Sequence, residues 1–250
     1  MKIGIQLSYD KDLFPKNKLY ELYSSYVKFT PVAFTKKYKS VPWKESKHIK
    51  QLRTYNDNDS IFVSDRNWNS FSSGLARSKS FRNISIEQDA SLFLPANQDI
   101  TDHIQEGFVT GYIYHETYTY VQSQISETTL FREDIEQEIL DSIKQTPYKL
   151  DMFNKKRFDI LYNPGRQVLT ATTWLMPAWK MWLGEPFFRL CPKEKILQFP
   201  HATRIEELPN GIVFVQLFDN IADPYTVENK FRQWKWQEWI DFDQILASEE

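Results

Sequence analysis

The feature that most constrains the fold is the Asn210-Gly211 pair, which joins two strand-forming runs. Residues 204–208 lead into it, and residues 212–218, which follow, are mostly β-branched or aromatic. Asn and Gly both tolerate the positive φ that tight hairpin turns require. We therefore predict a β-hairpin over residues 204–218, and a hairpin requires its two strands to pair antiparallel.

Further strand patterns lie on both sides of the chain centre. Ile3, Ile5 and Leu7 alternate with other residues and predict a strand over residues 2–9. Residues 108–124 are rich in β-branched and aromatic side chains, which favour strands. Pro177 interrupts the apolar stretch 167–182 and predicts either two strands there or a bent edge strand. Shorter strands are predicted at 60–64, 84–86, 92–94 and 158–162.

Helical spacing marks four segments. Apolar residues three and four apart predict helices between Pro15 and Pro31, from Trp68 to Ala76, over 129–145 and over 225–240. This order of elements predicts an α+β fold, with largely antiparallel sheet and three to four packed helices. We expect a single unit over 1–250, with a split into two subdomains near 146–156 as the alternative.

Cysteine content and hydropathy bear on the compartment. Cys191 is the one cysteine of 250 residues, so the chain forms no internal disulfide. No apolar leader follows Met1, and no apolar run reaches the length of a membrane span. We expect a cytoplasmic protein that does not enter the membrane.

Charge is divided unevenly along the chain. Residues 1–79 hold fifteen Lys and Arg against seven Asp and Glu, a net charge of +8. Residues 80–150 hold four against twelve, a net charge of −8, and residues 151–250 carry −2. Either the basic and acidic segments face each other inside the fold, or one of them forms a charged surface that attracts a partner.

Catalytic and metal-binding patterns are missing from the sequence. The four histidines lie far apart without metal-ligand spacing, and there is no cysteine pair. Neither a Gly-x-Ser-x-Gly elbow nor a glycine-rich nucleotide loop occurs. We therefore name no catalytic, cofactor-binding or metal-binding residue. An enzyme whose site is assembled from distant residues is the alternative.

A second alternative is a single-stranded nucleic-acid binder that uses the basic segment 36–55. This segment contains Tyr38, Trp43 and Tyr55, and single strands are held by phosphate contacts together with stacking on aromatic rings. The chain as a whole is acidic and has no recognised nucleic-acid signature. We therefore do not expect nucleic acid to be its main partner.

The last predicted helix is rich in tryptophan. Trp234 and Trp236 lie about 200° apart around a helix axis, so both cannot face the core. Exposed tryptophan is enriched at protein-binding hot spots. We assign the exposed, partner-binding position to Trp236.

Trp182-Leu183-Gly184, the stretch 208–217 and the tryptophan-rich last helix together resemble bacterial polymorphic-toxin immunity proteins. Leu19–Leu22 followed by Pro31–Phe34 resembles the opening helix of those proteins, so the likeness covers about a third of the chain. The resemblance implies stoichiometric binding of a cognate toxin in the cytoplasm, without catalysis or cofactors. It includes no diagnostic motif, so it assigns no residue a role.

The acidic face of the predicted helix 129–145 fits such a role. Glu133, Glu136 and Asp141 lie opposite its apolar stripe. Many nuclease toxins are basic, and opposite charges accelerate association. We therefore predict a protein partner, a basic toxin, that contacts Glu133, Glu136, Asp141 and Trp236.

Overall fold

The computed structural model describes residues 2–37, 39–55, 60–76, 78–93, 98–115, 148–150, 156–158 and 164–248. Its strands are β1 (Lys2–Asp10), β2 (Ala33–Lys36), β3 (Lys39–Pro42), β4 (Ile61–Ser64), β5 (Ser70–Leu75), β6 (Phe81–Asp89), β7 (Phe108–His115), β8 (Tyr148–Leu150), β9 (Lys156–Phe158), β10 (Val168–Leu169), β11 (Trp174–Leu175), β12 (Lys180–Leu183), β13 (Arg204–Glu207) and β14 (Val213–Gln216). Its α-helices are α1 (Lys18–Tyr26), α2 (Glu45–Arg53), α3 (Lys193–Leu197), α4 (Val227–Ile240) and α5 (Phe242–Ser248). Within these residues no helix has the length and apolar character needed to cross a bilayer.

Ten of these strands form one sheet, in the order β13-β14-β12-β7-β1-β6-β5-β4-β2-β3. Every neighbouring pair in this sheet is antiparallel. β8 pairs with β9, and β10 with β11, in two small separate ladders. The fold is therefore α+β, as predicted. Strands from before and after residues 146–156 share the large sheet, while the number of subdomains stays a prediction.

β1 lies near the middle of the sheet, between β6 and β7. Its alternating Ile3, Ile5 and Leu7 are all buried on one face, which confirms the predicted strand. On the opposite face of β1, Gly4 lies against the ring of Tyr114 of β7. A Cβ atom at Gly4 would lie 2.2 Å from the ring of Tyr114, so this position has room only for glycine.

Helix α1 covers the face of the sheet that carries these aliphatic side chains. Its residues Leu19 and Leu22 are fully buried. Tyr23 meets Phe71 of β5 edge to face, with ring centroids 5.4 Å apart. Phe71 pairs across the sheet with Ile86, so the helix, β5 and β6 contribute to one core.

A chain of buried hydroxyl groups joins distant segments on the other face. The Thr173 hydroxyl donates to Ser8 Oγ at 3.0 Å and lies 2.5 Å from Thr110 Oγ1. Ser8 in turn donates to Asn83 Oδ1 at 2.6 Å. Buried hydroxyl groups need such partners, because an unpaired one costs about 1–3 kcal/mol. This chain ties β1, β6 and β7 to the loop between β10 and β11.

Several predicted elements are confirmed. β13 and β14 form the predicted hairpin, and Gly211 adopts a φ of +79°. Helices α1 and α4 lie within the predicted ranges, and Pro177 separates β11 from β12. The predicted helix 129–145, the end of the strand 108–124 and residues 159–162 lie outside the described residues.

Two predicted elements are wrong. Residues 68–76 form no helix, because Trp68 adopts a φ of +62° in a turn and strand β5 follows. The spacing of Trp68, Phe71 and Leu75 is helical, but Phe71 is the one large apolar side chain in this segment that is buried on a strand face. The strand predicted at 92–94 does not form at residues 92 and 93, since residues 90–92 form a 3-10 turn, and residue 94 lies outside the described residues.

Candidate binding surface on helix α4

Helix α4 is held at both ends by local hydrogen bonds. Thr226 caps its start, where its hydroxyl accepts from the backbone N–H of Asn229 at 3.3 Å. The Asn229 side chain donates to the carbonyl of Asp223 at 2.7 Å. Asp241 ends the helix with a φ of +60°. These contacts fix the direction in which each α4 side chain points.

One side of α4 faces the protein interior. Trp236 is 1% exposed and meets Phe199 edge to face, with ring centroids 5.2 Å apart. The amides of Gln233 and Gln237 donate to the carbonyls of Pro224 and Pro164, each at 2.8 Å. The exposed position predicted for Trp236 is therefore wrong: this indole is part of the core.

The other side of α4 carries an apolar stripe in solvent. Val227 is 84% exposed, Phe231 44% and Trp234 42%. Their spacing of four and three residues places them on one helix face, and we call them the α4 ridge. The argument from the 200° separation was right, but the exposed indole is Trp234.

Ion pairs flank the α4 ridge. Arg232 binds Glu228 at 2.6 Å, and its guanidinium also donates to the carbonyl of Leu217 at 3.0 Å. Lys235 binds Glu238 at 2.7 Å, and its ammonium lies 5.6 Å from the centre of the Phe231 ring. An apolar centre with a polar rim is the usual anatomy of a protein-binding hot spot.

A small pocket opens beside the ridge. It has a volume of 230 Å³ and is lined by Pro200, His201, Ala202, Glu228, Phe231 and Arg232. The His201 and Phe231 rings meet edge to face, with centroids 5.3 Å apart. A pocket of this size, with one aromatic wall and a paired charge at its side, suits a single side chain of a partner rather than a cofactor.

The chain around the α4 ridge is acidic. Residues 217–250 contain eight Asp and Glu against three Lys and Arg, a net charge of −5. Asp219, Glu228 and Asp243 are exposed. Glu133, Glu136 and Asp141, the predicted acidic contacts, lie outside the described residues. The acidic aromatic surface that the structure does describe is therefore on α4.

The basic segment 36–55 does not present its aromatic rings as the nucleic-acid alternative requires. Tyr55 is 5% exposed, with the guanidinium of Arg82 4.7 Å from its ring centre. Trp43 stacks on Tyr23 of α1 at 5.9 Å between centroids, and it packs against the core. Tyr38 lies outside the described residues. Tyr55 and Trp43 therefore stabilise the fold.

Titratable groups are scattered through the interior. Burial raises the pKa of the Cys191 thiol to about 11, so little nucleophilic thiolate exists near neutral pH. Burial lowers the pKa of His115 to about 4. His48 accepts a hydrogen bond from the backbone of Lys44 at 2.9 Å and stacks on Phe34. Among the described residues no three His, Cys, Asp or Glu side chains cluster as metal ligands would.

Comparison with known proteins identifies no relative. No family model matches the chain, no curated protein matches it, and no solved structure matches it. The resemblance to toxin immunity proteins is therefore still an expectation from the sequence.

Proposed function

We propose that the protein is a non-enzymatic cytoplasmic binding protein, an immunity-type inhibitor that holds a basic toxin on the α4 ridge. The observation that carries the proposal is the α4 ridge itself: three large apolar side chains in solvent within a segment of net charge −5. Single exposed apolar residues are ordinary, but a contiguous stripe beside a pocket marks an interaction site.

Charge complementarity selects the class of partner. Two of the three cations on α4 are already paired, Arg232 with Glu228 and Lys235 with Glu238. Asp219 and Asp241 are exposed carboxylates of the same acidic segment that would attract a basic surface, whereas Asp243 is paired with Arg166 at 2.8 Å. A basic partner would place an apolar or aromatic side chain against Phe231 and Trp234, with its cations towards these carboxylates.

The test compares the wild-type protein with the double variant F231A/W234A. Both tagged proteins are used to capture partners from the source cells, and a captured protein is then purified and titrated calorimetrically. We expect wild type to hold one protein at equal stoichiometry and the double variant to bind it at least about a hundredfold more weakly, because two hot-spot rings are lost.

Trp68→Ala is the matched control, since it removes an exposed indole outside the α4 ridge. It should keep the affinity of wild type. The proposal also requires that the captured protein is toxic and that co-expression of wild type, but not of F231A/W234A, restores growth. A partner that binds both proteins equally would exclude the α4 ridge as its docking site.

The acidic segment 80–150 makes a separate prediction. Reversing Glu133, Glu136 and Asp141 to lysine should slow association with the basic partner and flatten its dependence on salt, because charge steers diffusional encounter. Stopped-flow association rates at several salt concentrations measure this. Unchanged rates would show that these three residues lie away from the docking surface.

A further inference from the structure

A second exposed aromatic group lies on the opposite half of the sheet. Trp68 is 85% exposed in the turn between β4 and β5, and Phe62 of β4 is 42% exposed. Both belong to residues 1–79, which carry a net charge of +8. This surface is independent of the α4 ridge and of the function proposed for it.

The turn that presents Trp68 is rigid. The Asp65 carboxylate accepts from the backbone N–H groups of Asn67 at 2.7 Å and Asn69 at 3.0 Å, and from the Asn69 side chain at 2.8 Å. Asn69 in turn accepts from the backbone N–H of Asp89 in β6 at 2.8 Å. Trp68 itself adopts a φ of +62°, which is unfavourable for a bulky residue. These hydrogen bonds fix the backbone of the turn, which presents the Trp68 side chain to solvent.

Phe62 lies on a sheet face lined by small polar side chains. Directly paired residues share a face, and Phe62 pairs with Ser72, which pairs with Ser85, which pairs with Gln6. Lys2, four residues before Gln6 on the same strand, emerges from that face and donates to the carbonyl oxygen of Trp68. Phe62 and the Trp68 turn therefore border one surface, which we call the Phe62 face.

Cations lie at both ends of the Phe62 face. Arg66 and Lys2 accompany Trp68 at one end. Lys37 and Lys79 are exposed in the β2–β3 and β5–β6 turns at the other end, each with a positive φ. β4 between them has four residues, a length of roughly 13 Å. This distance is within reach of a short oligonucleotide.

Three carboxylates lie near the Trp68 end of this face: Asp65, Glu87, and Asp89, whose position on β6 is directly opposite Lys2. Asp65 is occupied in the turn, as described above. Glu87 accepts hydrogen bonds from the hydroxyls of Ser70 and Ser85, and burial raises its pKa. These hydrogen bonds leave the carboxylates in place, and Lys2 beside Glu87 offsets part of their negative charge.

We infer that the Phe62 face binds single-stranded nucleic acid, with bases stacked on Phe62 and Trp68 and phosphates near Lys2, Arg66, Lys37 and Lys79. Stacking on exposed rings between cations is the way in which single strands are held without sequence preference. Ser72 and Ser85, the residues that follow Phe62 across the sheet, are too small to block a base from reaching its ring.

The test uses a fluorescein-labelled oligonucleotide of about 15 deoxythymidines and measures anisotropy at about 50–200 mM salt. Four phosphate contacts predict a slope of about −3 in log K against log salt. Trp68→Ala and Phe62→Ala should each weaken binding roughly five- to hundredfold. K37Q/K79Q should make the slope shallower by about 1.4.

The controls are Trp234→Ala on α4 and K16Q/K195Q, which removes two exposed cations elsewhere. Both should bind the oligonucleotide like wild type, and circular dichroism confirms that each variant is folded. The inference is overturned if the oligonucleotide does not bind, or if K16Q/K195Q reduces binding as much as K37Q/K79Q. It is also overturned if Trp68→Ala loses a protein partner while oligonucleotide binding is unchanged or absent.

Discussion

Alanine in place of Trp236 or Trp234 should have opposite consequences, although the two residues are separated by one position on α4. Trp236 is 1% exposed and packs on Phe199, whereas Trp234 is 42% exposed. We expect Trp236→Ala to destabilise the fold, although Trp236 itself is not part of the α4 ridge. We expect Trp234→Ala to leave the fold nearly intact and to weaken partner binding.

The magnitudes follow from burial. Removing a fully buried tryptophan costs about 3–5 kcal/mol, which includes the cavity left in the core. For a chain of this size 1 kcal/mol corresponds to about 2–4 °C in Tm, so Trp236→Ala should lower Tm by roughly 6–20 °C. Trp234→Ala should cost about 1 kcal/mol or less and lower Tm by under about 4 °C.

Urea denaturation followed by circular dichroism measures both variants against wild type. The midpoint should fall strongly for Trp236→Ala and little for Trp234→Ala, with similar slopes if both unfold in one step. Equal losses of stability for the two variants would show that both indoles face the interior. Trp234 would then not be part of the α4 ridge. A larger loss for Trp234→Ala would reverse the helix orientation described above.

Two further predictions concern the interior. Thr173→Val removes the hydroxyl that contacts Ser8 and Thr110, so the free energy of unfolding measured by urea denaturation should fall by about 1–3 kcal/mol. The control Thr203→Val, at an exposed site, should lower it by under about 0.5 kcal/mol. Equal losses for the two variants would show that the buried hydroxyl chain adds nothing to stability. The pKa of His115 is lowered to about 4 in the folded protein, below its unfolded value, so its contribution to stability is present above about pH 6.5 and is lost as the pH falls towards 4. The free energy of unfolding from urea denaturation should therefore fall by about 2 kcal/mol between pH 7 and 5, and His115→Gln should reduce that fall. If the variant kept the same pH dependence, the fall would belong to other titratable groups.

Local chemistry made part of the fold predictable. The Asn210-Gly211 turn depends on backbone freedom at two residues, and its hairpin has the predicted place. The strand β5 was mistaken for a helix because Phe71 and Leu75 are four residues apart, a spacing that also suits a helix. What decides the matter is the pairing of Phe71 with Ile86 and Val63, which no local window of sequence contains.

Long-range pairing also limited what could be inferred about the binding surface. Helical geometry showed that Trp234 and Trp236 face opposite ways. It did not show which of the two is buried, because both have polar and apolar neighbours. Trp236 turns inward because Gln233 and Gln237 on the same side find carbonyl partners in Pro224 and Pro164. Glutamine is usually a surface residue, so Gln233 and Gln237 do not by themselves mark the buried side of α4.

The central place of β1 has a consequence for synthesis on the ribosome. Residues 2–10 are made before both of their neighbours in the sheet, β6 and β7, and β7 begins only at Phe108. At about 5–20 residues per second, the nascent β1 waits roughly 5–20 s for that second neighbour. A chain paused in this interval carries the middle strand of the finished sheet as an open edge, and such edges recruit other strands. The ribosome-bound intermediate, rather than the completed protein, is therefore the species most in need of a chaperone.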